Sequence, residues 1–110
     1  MTIESQTPSE QRAARQTEAQ FQHQVRDLAE LCGWDIIWCT WNSQHSPAGE
    51  PDLRLGRIKD KRFVFAELKR DKKSKVAPAQ VKAQSDLKAM GMEAYLWTPE
   101  DWPEIEEVLR

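Results

Sequence analysis

The sequence predicts one α/β domain in which a mixed four-stranded sheet is flanked by helices, in the order αβββαβα. Three observations carry this. Segments with apolar residues at helical spacing are interleaved with short β-prone runs rather than segregated from them. The second and third β-prone runs are separated only by Lys59-Asp60-Lys61, which makes them an antiparallel hairpin. The third and fourth are separated by a helix-length segment, which makes them parallel through a right-handed crossover. With 110 residues, the chain suffices for one modest core, and five Trp argue against a disordered polymer.

Residues 1–16 are polar and nearly free of large apolar groups, and read as an arm ahead of a domain at 17–110. Thr17-Glu18-Ala19-Gln20 is a capping box. Behind it, Phe21, Val25, Leu28 and Cys32 form one stripe of a helix, which Gly33 closes. At about 100° per residue Glu18 falls close in angle to Val25, on the buried face. A carboxylate at a helix N-terminus is favoured by the helix dipole alone; the sharper alternative is that Glu18 belongs to a site.

Residues 34–41 are rich in Trp and Ile and predict the first strand. Residues 42–50 hold Asn, Ser, Pro and Gly and predict a loop, in which Ser43, His45 and Ser46 are candidates for touching a phosphate. A second strand spans 52–58, with Leu53 and Leu55 on one face, and a third spans 62–69. The third is apolar on both faces up to Glu67, as a central strand is. Pro78 starts a second helix that runs to Met90, with Gln80, Ala83, Leu87 and Met90 on one face and Gly91 at its end. Residues 92–97 form the fourth strand. Either Thr98-Pro99 or Asp101-Trp102-Pro103 opens a last helix, with Ile105, Val108 and Leu109 inward.

The net charge of −2 hides an uneven distribution. Residues 54–88 hold 12 of the 16 basic residues and 4 of the 18 acidic ones, as a local polyanion site requires. No apolar run approaches a membrane span and the N-terminus has no signal-peptide core, so a cytosolic protein is expected. Cys32 and Cys39 lack metal-ligand spacing and read as two buried thiols.

Asp52 begins one arm of the hairpin and Glu67 ends the other, so the two meet at one end. Strand alternation puts Lys69 on the same side as Glu67. Two carboxylates suit Mg²⁺ or Mn²⁺ rather than zinc, with coordination completed by water and phosphate oxygens. Such an ion acts as a Lewis acid on a phosphoryl group, and an adjacent amine orients a nucleophile or stabilises developing charge. The plain alternative is a three-residue ion-pair network. Gln80, near the start of the second helix, points back toward the same strand end.

Gly49-Glu50-Pro51-Asp52 followed by Glu67-Leu68-Lys69 resembles the PD-(D/E)xK nuclease signature. With Thr17-Glu18, the loop from Ser43 to Ser46, Pro78-x-Gln80 and the ending Ala94-Tyr95-Leu96-Trp97-x-Pro99-x-Asp101-Trp102, the chain is similar to the VRR-NUC branch, in its small stand-alone phage and prophage forms. Glu50 and His45 depart from that pattern, which commonly has a hydrophobic residue and an Arg there. The resemblance implies a restriction-endonuclease-like αβββαβ core and Mg²⁺- or Mn²⁺-dependent hydrolysis of DNA. It assigns metal binding to Asp52, Glu67, the Leu68 carbonyl and Glu18, nucleophile assistance to Lys69, and a polar position beside the site to Gln80. It also implies a homodimer, similar to Holliday-junction resolvases, acting on branched or duplex DNA in a bacterial cytoplasm. The basic loop Arg70, Lys72, Lys73 and Lys75, with Ser43, His45 and Ser46, would face the phosphate backbone. Two other classes remain: a non-catalytic nucleic-acid-binding domain, and an assembly protein with a Trp-rich surface.

Overall fold

The first helix, α1 (Glu18–Leu31), is opened by the capping box the sequence predicts. Gln20 N donates to Thr17 Oγ1 at 3.1 Å and Thr17 N donates to Gln20 Oε1 at 2.9 Å. The structure, a computed structural model, describes residues 16–40 and 47–110. Most of the polar arm, together with Ser43, His45 and Ser46, therefore lies outside the described residues. Gln16, placed in the arm by its polarity, is instead buried, and its Nε2 donates to Gln24 Oε1 at 2.8 Å. Gly33 ends α1 at φ +80°, a left-handed turn that a side chain would strain.

The next element is shorter than its β-propensity suggests. Trp34 is not in a strand; its N–H still bonds back to Ala29 O, and its indole is buried, donating from Nε1 to Leu109 O at 2.9 Å. A tertiary partner for the indole overrides the local preference. Strand β1 is Ile36–Cys39, β2 is Leu53–Arg57, β3 is Arg62–Leu68 and β4 is Glu93–Trp97. The sheet order is β1-β2-β3-β4, so β3 is interior as expected. β1 and β2 pair antiparallel, as do β2 and β3, and β3 and β4 pair parallel. The hairpin turns after Ile58, with Lys61 at φ 55°.

One sheet face carries the core. Leu53, Leu55, Val64, Ala66, Leu68 and Trp97 pack with Phe21, Val25 and Ala29 of α1 and with Ile105 and Leu109 of α3 (Trp102–Leu109). Each large side chain buried this way stabilises the fold by roughly 1.5–3 kcal/mol. Both candidate start signals for the last helix are used, since a 3₁₀ turn at Pro99–Asp101 leads directly into α3. Asp101 Oδ2 accepts from Thr98 N at 2.8 Å, closing that turn.

The second helix, α2 (Pro78–Ala89), packs against β4 on the other side, but none of its residues is buried. Met90, expected on its inward face, is 74% exposed. Helical spacing gives a direction only: Ala83 and Leu87 on that face are half-buried, while Met90 at the helix end is exposed.

Two of the basic residues counted toward a polyanion surface are structural. Arg57 is buried and donates to Cys32 O, Leu109 O, Arg110 O and Asp60 at 2.8–3.1 Å. It thereby ties the ends of α1 and α3 to the hairpin. Arg62 pairs with Glu93 and donates to Val108 O. Cys32 and Cys39 are free thiols and half-buried rather than buried. No helix among the described residues is long and apolar enough to cross a membrane.

Candidate active site

The hairpin register builds the site. Leu53 pairs with Ala66, so one step further along the antiparallel ladder Asp52 lies opposite Glu67. Asp52 stands just ahead of β2 rather than within it. Its Oδ2 accepts from Leu68 N at 2.8 Å, which fixes the carboxylate against the end of β3. Glu67 hydrogen-bonds Asp52 and is only 2% exposed. A carboxylate so buried, touching another, is the feature an ordinary core does not contain.

Gln80 holds the other side of Glu67. Its Nε2 donates to Glu67 Oε1 at 3.0 Å, while its Oε1 accepts from Ala77 N at 3.0 Å. The second bond caps α2, so the helix start and the orientation of Glu67 are set by one amide. Gln80 is thus where the sequence places it.

Electrostatics follow from this packing. Burial, then the hydrogen bond to Asp52 and the Asp52 charge, push the Glu67 carboxyl up to about 9, while Lys69 opposes the shift. Without a cation Glu67 therefore keeps its proton near neutral pH and holds it against Asp52. Glu18 is also held above the ordinary carboxyl range, by partial burial first and Asp52 second, with Lys69 again opposing. Lys69 thus acts on both acids through its field, and among the described residues it forms no ion pair with either.

Glu18, Asp52 and Gln80 border a cleft of about 490 Å³ that Gln22, Thr40, Gly49 and Leu68 also line. Glu67 and Lys69 are not in its lining, and Glu67 is buried against Asp52 and Gln80. Glu18 reaches it from the first turn of α1. Helical spacing gives its direction correctly, but the side chain is exposed to the cleft rather than buried. Gly49 brings the cleft's loop wall against α2. A Cβ there would lie 2.3 Å from Ala79 O, and φ is +85°. The Gly of the Gly49-x-Pro51-Asp52 pattern is therefore required by a close backbone approach.

Gln22 and Thr40 are wall residues the sequence reading does not single out. Gln22 is 9% exposed, and its side chain lies against the Cys39 thiol. The signal was available, because Gln22 follows Glu18 by four and shares its helix face. The basic loop lies beside the cleft rather than in its lining. Arg70, Lys73 and Lys75 are exposed, whereas Lys72 is tied to Asp101 at 2.7 and 2.8 Å. That loop is shaped by Asp71, whose Oδ1 accepts from Lys73 N and Ser74 Oγ.

Among the described residues no group of three His, Cys, Asp or Glu side chains is gathered as a ready-made metal cage. Asp52 and Glu67, in contact and mutually repelling once ionised, nonetheless fit a hard divalent cation that keeps several waters and takes remaining oxygens from a phosphate. A cation between them would replace the shared proton. No protein-family model, no curated protein and no solved structure matches the chain, so the function rests on these residues and their geometry.

Proposed function

We propose that the chain is a metal-dependent nuclease of the VRR-NUC type in the PD-(D/E)xK superfamily, with a restriction-endonuclease-like core, hydrolysing DNA phosphodiester bonds as an endonuclease. The observation that carries this is the Asp52–Glu67 contact at the open end of the hairpin, with Glu67 2% exposed and oriented by Gln80. A fold gains nothing from burying one carboxylate against another unless a cation or a proton sits between them.

In this reading Asp52, Glu67 and the Leu68 carbonyl hold Mg²⁺ or Mn²⁺, with Glu18 contributing directly or through water. When bound, the ion supplies Lewis acidity to the phosphoryl group and neutralises charge on its oxygens. Lys69, unpaired among the described residues, donates to the attacking water or to the developing negative charge. Gln80 keeps Glu67 in place, and the Gly49 loop and α1 exclude bulk water from two sides. Water adds to phosphorus, one bridging P–O bond breaks, and the departing oxygen leaves with a proton. Two copies on a symmetry axis would cut both strands of a branched or duplex substrate.

The second reading is a non-catalytic nucleic-acid-binding domain. It is favoured by the full set of partners around Glu67, since Asp52 and Gln80 leave it no unsatisfied oxygen in the absence of a cation. The two readings separate on a labelled four-way junction, a flap and a plain duplex, each with Mg²⁺, Mn²⁺ or EDTA. The nuclease reading expects metal-dependent products from wild type and none from Lys69→Ala. Equal, metal-independent patterns from both proteins on every substrate would remove it, and binding without cleavage would favour the second.

A further inference from the structure

The sheet face opposite the core is not finished by α2. On it, three adjacent strands bring an indole, a guanidinium and two phenyl rings together. Trp38 of β1 is opposite Arg54 of β2, which is opposite Phe65 of β3. Phe63 lies two residues along β3, with its ring centroid 6.2 Å from Trp38 and 5.1 Å from Phe65. The Arg54 guanidinium is 5.7 Å from the Trp38 ring centroid and is held by Glu50 at 2.8 Å. Trp38 is 53% exposed, whereas the core indoles Trp34 and Trp97 are 4% and 0% exposed.

The position of this patch matters as much as its composition. Asp52 and Glu67 form one rung of the hairpin, Arg54 and Phe65 lie two residues further along, and Gly56 and Phe63 two residues beyond that. Each step of two residues is about 7 Å, comparable with the rise of one nucleotide in an extended strand. All three rungs present the same face. Gly56 lets the Ile36 and Phe63 side chains close over the strand, because a Cβ there would lie 3.1 Å from both.

We propose that this face is a stacking platform for unpaired bases, so that the cleft takes single-stranded or locally unpaired nucleic acid rather than an intact duplex. The proposal rests on the nuclease reading for one point only, that the cleft holds a phosphate. With a phosphate at Asp52 and Glu67, the neighbouring bases lie over Trp38, Arg54 and Phe65. Aromatic faces accept any base, and the half-buried Arg54 guanidinium adds cation–π attraction. The competing occupant is a second copy of the chain, since exposed apolar patches also mark self-interfaces. A guanidinium with one carboxylate partner in the middle of the patch favours bases, because an apolar sheet-to-sheet contact would desolvate it.

The test is the affinity of labelled oligothymidine, an abasic strand of equal length and a hairpin duplex, measured by anisotropy in EDTA. Trp38→Ala, at an exposed position, leaves the melting temperature unchanged. It is expected to weaken oligothymidine binding about tenfold, as the loss of one stacked base does, and Trp38→Phe to restore most of it. Binding of the abasic strand and the duplex stays the same. Equal losses on abasic and base-bearing strands, or no loss on either, overturn the proposal. So does a fall from dimer to monomer mass on Trp38→Ala in light scattering, which would assign the face to a second copy. Wild type that cuts nothing with Mn²⁺ yet binds oligothymidine through Trp38 removes the nuclease reading and keeps the platform. Cleavage with no Trp38 dependence of binding removes the platform alone.

Discussion

Glu67→Gln is expected to stabilise the metal-free protein, and increasingly so as the pH rises. Glu67 is 2% exposed and its carboxyl is pushed up to about 9 by burial and by Asp52, against an ordinary value of 4.5. A folded-state value above the unfolded one means that the folded protein binds a proton the unfolded chain has released. The stability from this carboxyl is complete below about pH 4.5 and is lost as the pH rises through about 9. Over that window the limiting slope is about 1.4 kcal/mol per pH unit. The proton is shared with Asp52, so a loss on the order of 2–4 kcal/mol by pH 8 is the expected scale. Glutamine copies the protonated carboxyl: its oxygen accepts from Gln80 and its amide donates to Asp52. Thermal melts in EDTA at pH 5, 6.5 and 8 should show wild type losing stability with pH faster than Glu67→Gln. At roughly 4 °C per kcal/mol for a domain of this size, the variant should melt about 8 °C or more above wild type at pH 8. Equal slopes, or a variant that melts lower at pH 8, would refute the buried, proton-sharing pair.

Three further outcomes follow from the same geometry. Mn²⁺ should raise the melting temperature of wild type, more at pH 8 than at pH 6 because the ion displaces a proton, and should leave Asp52→Asn unmoved; melts at fixed ionic strength check this. Gly49→Ala puts a Cβ 2.3 Å from Ala79 O at φ +85°, and should cost at least about 2 kcal/mol in urea unfolding by straining the loop against α2. Arg57→Met removes the side-chain donor to the carbonyls of Cys32 and Arg110, leaves Leu109 O with Trp34 Nε1 alone, and should lower stability by about 3 kcal/mol without changing metal binding by the folded fraction.

Much of this architecture was legible in the sequence, for identifiable reasons. The polar turn Lys59-Asp60-Lys61 between the second and third β-prone runs determines a hairpin, and a hairpin determines that Asp52 meets Glu67. Thr17-Glu18-Ala19-Gln20 encodes a cap because the two side chains and two backbone donors satisfy one another locally. Gln80 was readable as pointing at β3, although its double duty to Ala77 and Glu67 depends on how α2 seats on the sheet. What escaped was depth. Helical spacing placed Met90 inward and Glu18 on the buried face, yet Met90 is 74% exposed and Glu18 is exposed to the cleft. Angle around a helix says nothing of how far the neighbouring layer extends. Charge counting likewise could not separate Arg57, which is buried under three carbonyls, from surface lysines. Trp34 was misread as strand because its partner, Leu109 O, comes from the far end of the chain.

The central claim is that Asp52 and Glu67 exchange their proton for a divalent cation and so cut a phosphodiester bond. Its most direct measurement is cleavage of an end-labelled branched DNA with a single-stranded arm by wild type and Glu67→Gln at pH 8, in Mn²⁺ and in EDTA. Because the variant is expected to fold at least as well as wild type, loss of activity in it reports on the site alone. Products from wild type in Mn²⁺ only, and none from Glu67→Gln in either condition, are the predicted result. Products from the variant at the wild-type rate, or from wild type in EDTA, would contradict it.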